Sequence, residues 1–294
     1  MTQDLVTIGS DALTAQINPL GAELWSLTDA AAREYMTDAD PAFWDRRAPL
    51  LFPVVGELAG GQLRVDGVAH DLPRHGFART SQFDLVEHAA DQVRFRLTDS
   101  AQTRAAYPFA FALDMAFRVT GWRLDMVASV HNPGAAALPF SFGYHPAFAW
   151  PLPGAADKRA HCLTFERNEP QPVRRVDRAT GVLLPHSEPT PVEGRDLLLD
   201  SALFEADAVI WTELHSRALR YHAPGGAALD IAFPDTPMLG LWQVPGARYI
   251  CIEPWQGHAD PQGFAGDFTA KPGLVMLAPG AVRSFRLSVT VTPP

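Results

Sequence analysis

The chain has 294 residues, 26 of them proline and 22 glycine, with 47 % hydrophobic and 19 % charged residues and a formal net charge of −9. Proline and glycine together exceed the usual ~12 %, which excludes a helical bundle, coiled coil or solenoid, and the hydrophobic content excludes a disordered chain. The acidic balance argues against nucleic acid or an anionic membrane as the main partner, so neither is expected.

In chain order, the apolar alternation of half-buried strands predicts strands over 4–8, 11–18 and 22–27. Asp40-Pro41 opens a short turn bearing Phe43 and Trp44. Further strands are predicted over 62–68, 83–88 and Val93–Leu97. Asp99-Ser100 caps one or two helical turns through Ala106, which Pro108 stops. Leu113, Met115, Phe117 and Val119 lie at period two, and a strand from Trp122 to Val130 follows the Thr120-Gly121 turn to make a hairpin. Asn132-Pro133-Gly134 closes that strand, and another is predicted over 138–144. Pro151 to about Gly194, rich in Pro, Arg and Glu, reads as an excursion with short strands. A short helix is predicted from Asp200 to Ala206, then strands over 208–213, 217–222, 228–233, 239–244, 249–253, 273–277 and Phe285–Val291. Many strands, few helices and no fixed blade period describe an all-β sandwich or barrel rather than a propeller. The same alternation on both sides of the excursion predicts one domain over residues 1–294.

No uncharged apolar run approaches the ~18 residues that span a bilayer. The start, Met1-Thr-Gln-Asp-Leu, lacks the basic and apolar stretch of a secretory leader, so the expected location is cytoplasmic. Two cysteines, Cys162 and Cys251, exclude a disulfide scaffold and a four-cysteine zinc site and read as buried reduced thiols.

Reactive side chains concentrate in four constrained segments: Ala48 to Glu57, preceded by Arg46-Arg47; Leu72 to Arg79; Ser141 to Phe148; and Ile250 to Asp260. Pro146 pushes His145 into an extended conformation at a strand end, where an imidazole suits acid–base work near neutral pH, although a satisfied core histidine is the plainer reading. Glu253 ends an apolar strand and needs a task or a cation. His75, between Arg74 and Arg79, suits substrate binding or a turn. Trp44, Trp150, Trp242 and Trp255 offer faces on which a sugar stacks. His258 and Asp260 lack an evident third ligand, so no metal is expected. Dinucleotide, P-loop and H-E-x-x-H motifs are missing, as is the G-x-S-x-G nucleophile elbow.

Taken in order, Asn18-Pro-Leu-Gly-Ala-Glu-Leu-Trp25, Pro49-Leu-Leu-Phe-Pro53, Arg74-His-Gly-Phe-Ala-Arg79, Tyr107-Pro-Phe109, Gly143-Tyr-His-Pro146 and Glu253-Pro-Trp255 resemble the aldose 1-epimerase (galactose mutarotase) family. Its LacX-like branch, which borders the hexose-6-phosphate mutarotases, is the most similar. The resemblance runs from about residue 5 to 291. It implies the large antiparallel β-sandwich called the galactose mutarotase-like supersandwich, and a cofactor-free isomerase that interconverts the α and β anomers of an aldose. It further implies His145 as general acid, Glu253 as general base, and His75 and Asp207 as sugar-binding residues. The branch usually carries Arg where this chain has Glu57, so a neighbouring Arg46, Arg47 or Arg79 is expected to take over the hydroxyl contacts, or the substrate to differ.

The expected partner is a small-molecule sugar, with the protein a monomer or weak homodimer. Two alternatives stay open: a hexose-6-phosphate mutarotase, which the Arg46, Arg47, Arg74 and Arg79 cluster would suit, and a non-catalytic carbohydrate-binding protein of the same fold. Glycoside hydrolysis is disfavoured, because the motifs supply one carboxylate and one imidazole where it wants two carboxylates.

Overall fold

The structure is a computed structural model that describes residues 4–294. Met1 to Gln3, on which part of the leader reading rests, lie outside the described residues. No described helix is long and apolar enough to cross a membrane.

Two large antiparallel sheets dominate. The nine-stranded sheet is assembled around the Val282–Thr292 strand, with Arg123–His131 and Ala112–Thr120 on one side and Ala228–Ala232 and Ala218–His222 on the other. Its inward residues follow the predicted period of two: Leu113, Met115, Phe117 and Val119 are all buried, as are Phe285, Leu287, Val289 and Val291. The eight-stranded sheet is built about Tyr249–Gln256, flanked by Met238–Trp242 on one side and by Phe142–Tyr144 and Ala147–Ala149 on the other. The main core lies between the two sheets. The phenyl ring of Phe142, from the eight-stranded sheet, stacks on that of Phe285, from the nine-stranded one, with centroids 4.9 Å apart. One α-helix appears among the described residues, Ala101–Ala106, capped reciprocally by Ser100 and Thr103.

The structure corrects two of the predicted elements and pairs the short strands of a third. Residues 62–68 are no single strand but a hairpin, Gln62–Val65 with Val68–Asp71. Asp66 and Gly67 both take positive φ, 50° and 79°, as the two-residue turn of a hairpin demands. The predicted strand 138–144 divides at Ser141: Leu138–Phe140 pairs with Val275–Leu277, whereas Phe142–Tyr144 joins the eight-stranded sheet. The Pro151–Gly194 excursion is woven into both sheets. It supplies Cys162–Phe165 to the larger one and Val173–Val176 with Leu183–Glu188 to the edge of the other.

Tyr144 couples the sheets by a polar route. Its buried hydroxyl accepts from the Ala128 N–H at 3.0 Å and donates to the Phe285 carbonyl at 2.8 Å, bridging two strands of the opposite sheet. Burial pushes this phenol far above its ordinary range, so it remains a neutral donor. Tyr144→Phe leaves both backbone groups buried without that partner. It is expected to cost about 1–3 kcal/mol, read as a lower urea midpoint at unchanged m-value.

Candidate active site

The site is built on the Tyr249–Gln256 strand. Seven of its eight residues are buried. Ile250 and Ile252 enter the main core, while Cys251, Glu253 and Trp255 face the other way, as strand alternation requires.

The neighbouring chain runs alongside in one register. Phe142 pairs with Gln256, Gly143 with Trp255 and Ala147 with Cys251, which places His145 opposite Glu253. The Ile252 N–H donates to the Pro146 carbonyl at 3.2 Å. That bond makes Pro146–Ile252 a hydrogen-bonded rung and His145–Glu253 the adjacent non-hydrogen-bonded one, where cross-strand side chains lie closest. Pro146 and Pro254 have no N–H to give the ladder, and the regular strand is interrupted here, between Tyr144 and Ala147. The His145 Nε2 lies 3.2 Å from Glu253 Oε2.

Both groups are buried, and burial acts oppositely on acid and base. It drives the imidazole down, to about 3, and pushes the Glu253 carboxyl well above the carboxylate range. The positive charge of Arg74 opposes the rise at Glu253, and the negative charge of Asp207 adds to it. The Trp255 indole N–H also holds it back without reaching full hydrogen-bond geometry. Burial thus favours the neutral imidazole and the neutral carboxyl over the charged pair.

Around the pair lies a cavity of about 210 Å³, smaller than the ~300–1,000 Å³ of drug-sized sites. Trp44 stacks on the His145 ring, with centroids 5.0 Å apart and planes at 30°, and Trp242 meets it edge-on at 5.9 Å. Trp255 forms another wall. Its indole occupies a slot with no side chain on either side: a Cβ on Gly240 would come within 2.5 Å of it, and one on Gly143 within 2.6 Å.

Loops supply the remaining walls. His75 is left-handed at φ 67°, and Asp207 at φ 72°, a costly backbone for non-glycine residues that concentrates at functional sites. The His75 Nδ1 accepts from the Gly56 N–H at 3.0 Å, and the His75 N–H returns a bond to the Gly56 carbonyl. Burial, together with the charge of Arg74, holds its pKa well below the usual histidine value. The neutral ring thus keeps its proton on Nε2, a donor for the cavity that it lines. The Asp207 carbonyl accepts from Arg175 at 2.9 Å, and Arg175 also bonds the Leu203 carbonyl and Glu188, fixing the loop that presents the Asp207 carboxylate.

Of the residues expected from sequence, His145, Glu253, His75, Asp207, Arg79 and Trp255 line this one cavity, as do Trp44 and Trp242. Arg47 does not. Its guanidinium donates to the Thr37 carbonyl at 2.6 Å and lies over the Trp25 ring, while its backbone N–H binds buried Glu23, so it braces a loop behind the site. Trp150 is also elsewhere, donating to the Lys158 carbonyl. Arg46 binds the Arg79 carbonyl from outside the cavity wall. Glu57 stays outside the wall too, its side chain against Gly181. Asp260 forms a buried ion pair with Lys271 at 2.6 Å, and the His258 Nδ1 contacts the Ala259 carbonyl. Sequence reasoning missed Val176 and Ile210, which also line the cavity. Their apolar side chains carried no signal that separates a wall from a core.

The sequence pattern of the aldose 1-epimerase family matches residues 4–290. The chain is 30% identical over 266 residues to the chromosomal LacX protein of Lactococcus lactis subsp. lactis, covering 86% of this chain and 87% of that one. It also resembles the X-ray structure of a galactose mutarotase related enzyme from Lactobacillus acidophilus, with TM-score 0.90 and 29% identity over 98% of this chain and 97% of that one. A galactose mutarotase-like protein from Lactobacillus casei gives the same TM-score and identity, covering 98% of this chain and all of the other.

The Trp255 slot can be tested directly. Gly240→Ala forces the indole to move and is expected to cost about 1–3 kcal/mol of stability through overpacking. The near-ultraviolet circular dichroism of the tryptophans should change with it, while the far-ultraviolet spectrum stays as in the wild type.

Proposed function

The chain belongs to the aldose 1-epimerase family, and we propose that it is a mutarotase acting on a free hexose of the galactose or glucose type. The observation that carries this reading is the His145–Glu253 pair, 3.2 Å apart at the wall of a cavity with room for a single sugar ring. Aromatic walls suit the CH face of a pyranose, and the neutral donor His75 with the acceptor Asp207 suits its hydroxyls.

Glu253 takes the proton of the anomeric O1 hydroxyl while His145 protonates the ring O5. The C1–O5 bond breaks, and the free aldehyde forms. Rotation about C1–C2 presents the opposite carbonyl face. Closure then runs the transfers in reverse: Glu253 returns its proton to O1, and His145 removes the proton from O5. Ring opening leaves the proton on Glu253 and His145 neutral, the arrangement that burial favours. Opening starts instead from the carboxylate–imidazolium form of the same one-proton pair, and the charge of Arg74 stabilises its carboxylate. Each positioned group typically supplies ~10²–10⁴ in rate.

A second reading, a sugar carrying a phosphate, draws on the arginines. Among the described residues, none of Arg46, Arg74 and Arg79 has a carboxylate within ion-pair distance, in a chain of net charge −9. Burial, and then repulsion from Arg46 and Arg74, lower the pKa of Arg79, so an anion placed there would relieve the repulsion.

Polarimetry on freshly dissolved α-anomers tests the first reading. His145→Ala and Glu253→Gln are each expected to lower kcat by about 10²–10⁴ with folding intact. A wild-type protein that accelerates the mutarotation of no common aldose would sink it. Rates on free and 6-phosphorylated hexoses, compared side by side, decide between the two substrates. A higher kcat/KM for the free sugar excludes the phosphate reading.

A further inference from the structure

Directly beside the acid–base pair on the same strand face is a third donor that the proposed chemistry does not use. Cys251 is two residues before Glu253 and fully buried. One ligand atom each from His145, Cys251 and Glu253 lie within 4.8 Å of one another. Among the described residues this is the grouping of three His, Cys, Asp or Glu donors that converges in this way. Cys251 and Glu253 come from one central strand of the sheet, and His145 from the two-residue link between Phe142–Tyr144 and Ala147–Ala149, both of which pair with that strand. The Cys251 thiol sits among Trp44, Trp242 and Tyr249 without a hydrogen-bond partner among the described residues, and the other ring nitrogen of His145, Nδ1, is likewise buried and unpartnered.

We propose that His145, Cys251 and Glu253 form a binding site for one thiophilic divalent cation, Zn²⁺ or Cd²⁺, that replaces the proton between imidazole and carboxylate and so blocks the acid–base pair. Tetrahedral zinc with bonds of ~2.0–2.3 Å holds its ligand atoms ~3.3–3.8 Å apart, so the donors need only close in by about an ångström. Thiolate with imidazole selects zinc and cadmium over magnesium and calcium. Binding balances as an exchange: the thiol loses its proton, the pair loses the one it shares, and two protons leave for one dication. Thiolate and carboxylate together neutralise that charge, and the Asp207 carboxylate at the cavity wall offsets the repulsion from Arg74. Three protein ligands leave the fourth position to a water in the cavity, the arrangement of an open rather than a structural site. The cation here is an inhibitor, and the inhibition, unlike the binding, rests on the mutarotase reading.

Cadmium titration of the full-length protein tests the binding without reference to activity. The wild type should take up one equivalent and develop the ultraviolet thiolate-to-cadmium charge-transfer band. Cys251→Ala and the near-isosteric Cys251→Ser should each abolish the band, and Cys162→Ser should leave it unchanged. Zn²⁺ should suppress mutarotation reversibly, with full recovery on adding EDTA, and Cys251→Ser should raise the concentration needed by at least about tenfold while keeping the basal rate. A band that survives the loss of Cys251, or a wild type that shows none, overturns the proposal. Binding at one equivalent in a protein inactive on every aldose would remove the mutarotase reading and leave this site standing. Mutarotation with no band would do the reverse.

Discussion

The single rung that sets His145 across from Glu253 fixes the geometry on which the site depends. Two segments of one sheet run in a common register, from Phe142–Gln256 at one end to Ala149–Tyr249 at the other. Between them Pro146 and Pro254 withhold two amides. The chain therefore keeps its alignment where its hydrogen bonding thins, and an imidazole and a carboxylate meet without a loop to position either. A slip of one residue in the segment that carries His145 would turn its imidazole toward the main core and away from Glu253. Tyr144, next to His145, guards against that slip by bonding the opposite sheet through Ala128 and Phe285.

The same burial that organises the pair also opposes its working charges. Desolvation drives His145 and Glu253 toward their neutral forms, and the nearby charges decide how far. Arg74 favours the carboxylate, Asp207 disfavours it, and His75 is held neutral by its own burial and by Arg74. The proposed mutarotation, whose two halves use opposite protonation patterns, is compatible with this. One proton shared between two sites can sit on either group, and a polar ligand bound beside the pair would lower the cost of its charged form.

Much of this was legible in the sequence, and the losses have physical reasons. Period-two alternation in Leu113 to Val119 and in Phe285 to Val291 reports a sheet face directly, because burial of every second side chain is local information. The motif around Gly143-Tyr-His-Pro146 and the end of the late strand pointed to His145 and Glu253, which the fold brings to 3.2 Å of one another. Arg47 was misplaced because sequence proximity to Arg46 says nothing of direction. A buried Glu23 claims its backbone and the Thr37 carbonyl its guanidinium. The partner exchange at Ser141 and the tie between Cys251 and the pair were beyond reach, since both depend on strand register, which is a property of distant segments. The Asp66-Gly67 turn was readable and was passed over in favour of a longer strand.

The strand Tyr249–Gln256 is paired on both sides and buried along nearly its whole length, whereas His75, Arg74 and Asp207 belong to loops. Local openings of a protein start from its loops and reach such a strand only with global unfolding. Glu253 is therefore carried by a part of the fold that opens last, with His145 on the segment paired to it. The polar groups of the loop wall sit on segments that open more readily. Changes in the loop-borne wall of the cavity can therefore leave the His145–Glu253 rung in place, because the two are carried by different parts of the fold.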